Sequence, residues 1–145
     1  MFETLQSQIT AAVALGVCAM AVWKGDRPAR LAGAAAAVTW LASAGAQDWP
    51  RADGPEYGIF AVDVAYLAFS LWLGGSSGRL WALFIAAFQL LIVLTHVAVI
   101  IDLRIGQFGF FSAYFVWSYL IIVAIAIGTI QAIGRRNREV ARPRA

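Results

Sequence analysis

The sequence predicts an all-α integral membrane protein, a bundle of five transmembrane helices with its N-terminus outside and its C-terminus cytoplasmic. Three observations carry this: five apolar runs of near-bilayer length, turn-forming and charged breaks between them, and a one-sided distribution of Arg and Lys. The composition agrees. The chain is 61% hydrophobic and 13% charged, with a mean hydropathy of +0.75, whereas soluble domains run at about half apolar and a quarter charged.

A helix crossing a hydrocarbon core of ~30 Å needs about 20 apolar residues. Such runs lie near 5–23, 31–47, 58–74, 80–101 and 108–131, the second and third being short. They make residues 1–134 a single transmembrane domain, leaving 135–145 as a basic cytoplasmic tail and no room for a soluble domain of useful size. The breaks are Lys24 to Arg30 with Pro28, Asp48 to Tyr57 with Pro50 and Pro55, Gly74 to Arg79, and Asp102 to Gln107. Backbone polar groups can be left unpaired only near water, which is where these segments would lie.

Orientation follows from the basic residues. The first loop holds Lys24, Arg27 and Arg30, the third break holds Arg79, and the tail holds Arg135, Arg136, Arg138, Arg142 and Arg144. Five spans put these nine on one face and only Arg51 and Arg104 on the other, so the positive-inside rule makes the first face cytoplasmic. Of six Trp, Trp23, Trp72 and Trp81 fall at inner ends and Trp49 at an outer end, as interface-seeking indoles should, while Trp40 and Trp117 lie deeper. Ten of the eleven basic residues are Arg and Ala is abundant, a sign of a GC-rich bacterial genome, and the membrane expected is a bacterial inner one.

Span 2 is nearly all small residues, from Ala32 to Ala37 and again at Ala42, Ala44, Gly45 and Ala46, and span 1 is rich in Ala. Helices in lipid associate through close backbone approach, so a tight hairpin of spans 1 and 2 is expected. Spans 4 and 5 are bulky and read as lipid-facing. The start of span 5 crowds Phe108, Phe110, Phe111, Tyr114, Phe115, Trp117 and Tyr119 into about a dozen residues. Phe108, Phe111 and Phe115 share one helical stripe, and Phe110, Tyr114 and Trp117 another. An interface belt is the plain explanation. A partner-helix contact, or a stacking surface for a quinone or pigment, is the sharper one.

Asp63 stands about six residues inside the outer end of span 3, ~9 Å deep at helical rise. A carboxylate there costs ~2.5 kcal/mol or more on insertion scales, so it should face protein and marks a site by default. Tyr66 follows on the same face. His96 lies at the same depth in antiparallel span 4, with Gln89 seven residues earlier on the same helix face. These residues define a candidate intramembrane pair, Asp63 and His96, supported by Tyr66 and Gln89. The pair is either a register-fixing contact or a proton-handling site.

Several chemistries are excluded. One Cys (Cys18) and one His cannot form a disulfide, a closed zinc site or bis-histidine haem ligation within the chain. Gly74-Gly75-Ser76-Ser77-Gly78 lacks the Lys of a phosphate loop, and the short Arg-rich tail fits lipid headgroups, contacted by Arg135, Arg136 and Arg138, better than nucleic acid. The Met1-Phe2-Glu3 start has no signal-peptide basic region. No resident cofactor and no catalytic constellation is expected. The function expected is that of an accessory or scaffold subunit of a larger membrane complex, respiratory or photosynthetic in type. The alternative is an oligomeric proton-coupled transporter or pore using the Asp63/His96 pair.

Overall fold

The computed structural model describes residues 5–46, 57–102, 104 and 107–141. Among these, every regular element is α-helical: α1 (Leu5–Lys24), α2 (Arg27–Ala46), α3 (Tyr57–Ser77), α4 (Leu80–Ile101) and α5 (Gln107–Val140). The segment 47–56, which includes Trp49 and Arg51, and the tail arginines Arg142 and Arg144 lie outside the described residues. Helices α3, α4 and α5 are each long and apolar enough to cross a membrane.

Three helix boundaries differ from those expected; the first is α3, which runs on to Ser77 and takes in Gly74, Gly75 and Ser76 of the expected third break. Helix α2 begins at Arg27, within the expected first loop. Asp26 starts it: its Oδ1 accepts the Ala29 N–H at 3.3 Å and its backbone carbonyl accepts the Arg30 N–H at 2.8 Å. Pro28 then sits in the first turn, where no intrahelical N–H is required, so it initiates the helix instead of breaking the chain. Helix α5 runs on to Val140 and not to residue 131. Arg135, Arg136 and Arg138 are therefore helical, not part of a separate tail. Arg and Glu are good helix formers, and cations are favoured at a helix C-terminus. At 34 residues α5 is ~51 Å long, well beyond a ~30 Å hydrocarbon core.

Each helix packs on its sequence neighbours, and α5 returns to α1, closing the five into a ring with α2 also touching α5. One end of the bundle gathers the α1–α2 turn, the α3–α4 turn and the C-terminal part of α5. This is the basic end. The α1–α2 hairpin is tight because it is built of small residues: a Cβ on Gly33 would lie 2.8 Å from the Ala21 Cβ and 2.9 Å from the Cys18 carbonyl oxygen. Cys18 itself is buried.

Helix α4 is not the lipid-facing helix its bulk suggested. It packs extensively against both α3 and α5, burying a stripe of Trp81, Ala82, Ile85, Ala86, Gln89, Ile92 and His96. Ala82 and Ala86 supply the close approach, while Leu83, Phe84, Leu90 and Leu94 point outward. Trp81 differs likewise from an interface anchor. Trp23 and Trp72 are exposed, but Trp81 is 4% exposed and turned inward against Gly128 of α5. A Cβ at position 128 would lie 2.6 Å from the indole Cδ2 and Cε2.

Gly128→Ala should therefore destabilise the bundle by about 1–3 kcal/mol through overpacking, read from reversible unfolding in mixed detergent micelles. The same substitution should cost less in a Trp81→Leu background, where the ring it strikes is gone.

Candidate functional site

Helix α3 buries the stripe Ile59, Asp63, Tyr66, Ser70, Leu73 and Gly74, so the residues at helical spacing that face the core include its only carboxylate. Asp63 is 2% exposed, His96 4% and Gln89 1%. His96 Nε2 lies 3.1 Å from Asp63 Oδ2. Gln89 Nε2 donates to Asp63 Oδ1 at 3.0 Å and to the Asp63 backbone carbonyl at 3.0 Å. Gln89 and His96, seven residues apart on one face of α4, thus grip the carboxylate from both sides along the helix axis. Each carboxylate oxygen has a partner, as a buried carboxylate requires.

The contact at 3.1 Å holds a proton in any of its sensible protonation states. With Asp63 ionised, His96 Nε2 carries the hydrogen it donates. With Asp63 protonated, the acid donates to Nε2.

Aromatic rings wall in the imidazole. Phe110 of α5 lies 5.0 Å from the His96 ring centroid and edge-on, Tyr114 5.8 Å and edge-on, and Phe60 of α3 5.6 Å and tilted. The two α5 stripes consequently part company. Phe110, Tyr114 and Trp117 are half-buried on the inner side, while Phe108, Phe111 and Phe115 are exposed on the outer side. The outer set forms a ladder, with Phe111 stacked on Phe115 at 6.3 Å and Phe115 on Tyr119 at 6.5 Å.

Tyr66 does not join the Asp63 hydrogen-bond network. Its ring is buried and stacked on Phe69 at 6.2 Å, and its hydroxyl has no hydrogen-bond partner. Phe60 was absent from the sequence reading, although it stands three residues before Asp63, on the same face by helical spacing. Other hydroxyls in the helices are hidden locally: Ser70, Thr95, Ser112, Ser118 and Thr129 each donate to the carbonyl four residues earlier.

A second polar cluster lies at the basic end. Asp26 Oδ2 accepts from Arg79 at 2.8 Å and from Arg135 at 2.8 Å, and Arg136 donates to the Lys24 carbonyl at 3.1 Å. One carboxylate therefore joins the first loop, the α3–α4 turn and the end of α5. Two of the three arginines expected to meet lipid headgroups are engaged with the α1–α2 turn. Arg138 instead folds back on its own helix, its Nε donating to the Gly134 carbonyl at 3.2 Å. The sequence signal for this cluster was a lone acid in a loop of three basic residues. At the opposite end Asp102 pairs with Arg104 at 2.9 Å, in solvent. The Arg104 guanidinium, helped by the Arg104 backbone N–H, holds the Asp102 carboxyl below the usual carboxylate range.

Among the described residues no group of three or more His, Cys, Asp and Glu is placed to hold a metal ion. No protein-family model, curated protein or solved structure matches the chain.

Two outcomes are expected from this geometry. Asp63→Asn and His96→Gln should show a coupling of about 0.6–1.7 kcal/mol in a double-mutant cycle of unfolding, the range of side-chain hydrogen bonds between membrane helices; strict additivity would show that the contact contributes nothing. Asp26→Ala should destabilise by about 1–2 kcal/mol, because it removes a helix cap as well as a two-arginine partner. Asp26→Asn, which keeps the capping oxygen, should cost roughly half as much, and added salt should shrink the difference between aspartate and asparagine.

Proposed function

We propose that the chain is a five-span protein of a bacterial inner membrane, N-terminus outside and basic end cytoplasmic, acting as an accessory or scaffold subunit of a larger membrane complex. The observation that carries this reading is the outward aromatic ladder of α5. Phe111, Phe115 and Tyr119 stack along ~12 Å of helix, with Phe108 exposed about one turn further out and the Tyr119 hydroxyl bonded to Thr10 of α1, whereas anchoring at a headgroup layer needs only the outermost turn. Stacked, rigid rings that deep offer a partner helix large contact area at little entropic cost. The polar centre, by contrast, is closed off by Phe60, Phe110 and Tyr114, as suits a contact that holds helix register. A flat quinone or pigment belonging to the complex would find the same ladder a stacking surface.

A second reading, an oligomeric proton-coupled transporter or pore, is favoured by one observation: a carboxylate and an imidazole, Asp63 and His96, meet at 3.1 Å in the interior of the bundle. No enzymatic activity is proposed.

Native mass spectrometry of the endogenous protein, gently extracted, separates the two. The accessory reading expects co-purification with other subunits in fixed ratio, lost in a Phe111→Ala/Phe115→Ala variant that still folds. A homo-oligomer free of other chains overturns it, and proton-dependent flux abolished by Asp63→Asn would then establish transport.

A further inference from the structure

Helices α4 and α5 leave a half-open apolar groove of about 280 Å³ on the outer surface, next to the basic end. Trp81, Phe84 and Phe88 form one wall, with Phe84 and Phe88 stacked at 6.0 Å, and Val123, Ile127 and Gln131 belong to the other. We propose that this groove binds one anionic glycerophospholipid from the leaflet at the basic end, its acyl chain lying in the groove and its phosphate meeting Arg138.

Three features select that occupant. The first is length. The lining runs from Leu80 to Phe88 on α4 and from Leu120 to Gln131 on α5, that is ~12 Å and ~16 Å of helix. A single leaflet of a ~30 Å hydrocarbon core has that depth. The second is width. A neighbouring helix is ~10 Å across with its side chains, too thick to enter a cleft of this volume, whereas a polymethylene chain is not.

The third is charge. The α5 lining stripe of Leu120, Val123, Ala124, Ile127 and Gln131 continues at helical spacing through Gly134 to Arg138. Arg138 folds back onto the Gly134 carbonyl, which brings its guanidinium one turn closer to Gln131 and the mouth of the groove. On the facing helix, Arg79 immediately precedes Leu80. Arg79 and Arg135 share the single carboxylate of Asp26, so two guanidiniums meet one acid at this corner. Glu139, next to Arg138, lies about 100° further round the helix. The groove is thus apolar along its depth, polar at Gln131 and cationic just beyond, the profile of a phospholipid with a negative headgroup.

The test is native mass spectrometry of the full chain in mild detergent, with phosphatidylglycerol and phosphatidylcholine supplied in equal amounts. One phosphatidylglycerol per chain should be retained in preference to phosphatidylcholine. Arg138→Gln should reduce that preference roughly fivefold, the factor one basic side chain contributes at a charged lipid surface. Ile127→Trp, which places a large ring in the groove at a position 44% exposed, should abolish retention. Arg30→Gln removes the same charge from the same end but away from the groove, and should change neither. Equal retention of the two lipids, an Arg30→Gln effect matching that of Arg138→Gln, or retention unaltered by Ile127→Trp would overturn the proposal. So would an isoprenoid quinone or a second copy of the chain occupying the groove. The inference rests on the bilayer reading above: release of the protein by alkaline carbonate would sink that reading, whereas a membrane-retained chain that holds no lipid sinks this one alone.

Discussion

A carboxylate enclosed by apolar helices must find its partners inside the protein, and the arrangement of α3, α4 and α5 answers that demand at Asp63. Both oxygens of this residue are taken up by α4, one by Gln89 and one by His96. The requirement sets the register of α3 against α4, since a shift of one turn would leave the acid against Ile92 or Ile85 in place of a donor. It also sets the rotation of α5, because the imidazole held by Asp63 needs covering on its remaining sides. Phe110 and Tyr114 provide that cover. Unpaired burial would cost several kcal/mol, more than any single apolar contact in the bundle contributes, so the polar centre constrains the packing around it.

The covering of His96 explains why the aromatic residues of α5 separate into two sets. On a helix, residues three and four apart share a face, and the inner set of Phe110, Tyr114 and Trp117 is the one that meets α4. The outer set is left over by geometry, yet Phe111, Phe115 and the following Tyr119 stack on one another down the helix. A surface patch made of rigid rings at depth differs from scattered Leu and Ile, which is why it carries the proposed association with other subunits.

At the basic end the demand is weaker, because the charged groups are partly exposed. Asp26 nevertheless performs three tasks: it caps α2, receives Arg79 and receives Arg135. Each interaction is partly exposed and individually modest. Together they bring three chain segments to one corner, at the end of the bundle where α4 begins.

Much of this was determined by the sequence alone. Helix number and type follow from run length and from the breaks, because an apolar segment of about 20 residues has few other ways to satisfy its backbone. The similar depths of Asp63 and His96 follow from counting residues on two antiparallel helices. Gln89 follows from its seven-residue spacing. Helix ends were less legible: Pro28 and the arginines after residue 134 are equally compatible with stopping and continuing, and the Asp26 cap together with the contacts of Arg135 and Arg136 decides between them.

What only the tertiary structure decided is which face of each helix is inside. In a chain this apolar, hydrophobicity does not distinguish the core from the surroundings, so the usual periodic signal is weak, and bulk misleads. Helix α4 is rich in Leu and Ile yet packs deeply, through Ala82 and Ala86, and Trp81 lies buried on Gly128. Tyr66, polar by composition, forms no hydrogen bond through its hydroxyl, whereas Phe60, apolar, lies beside His96. The inner face is chosen by close approach and by the few polar groups that need partners, and both are relations between helices that no single segment of sequence contains.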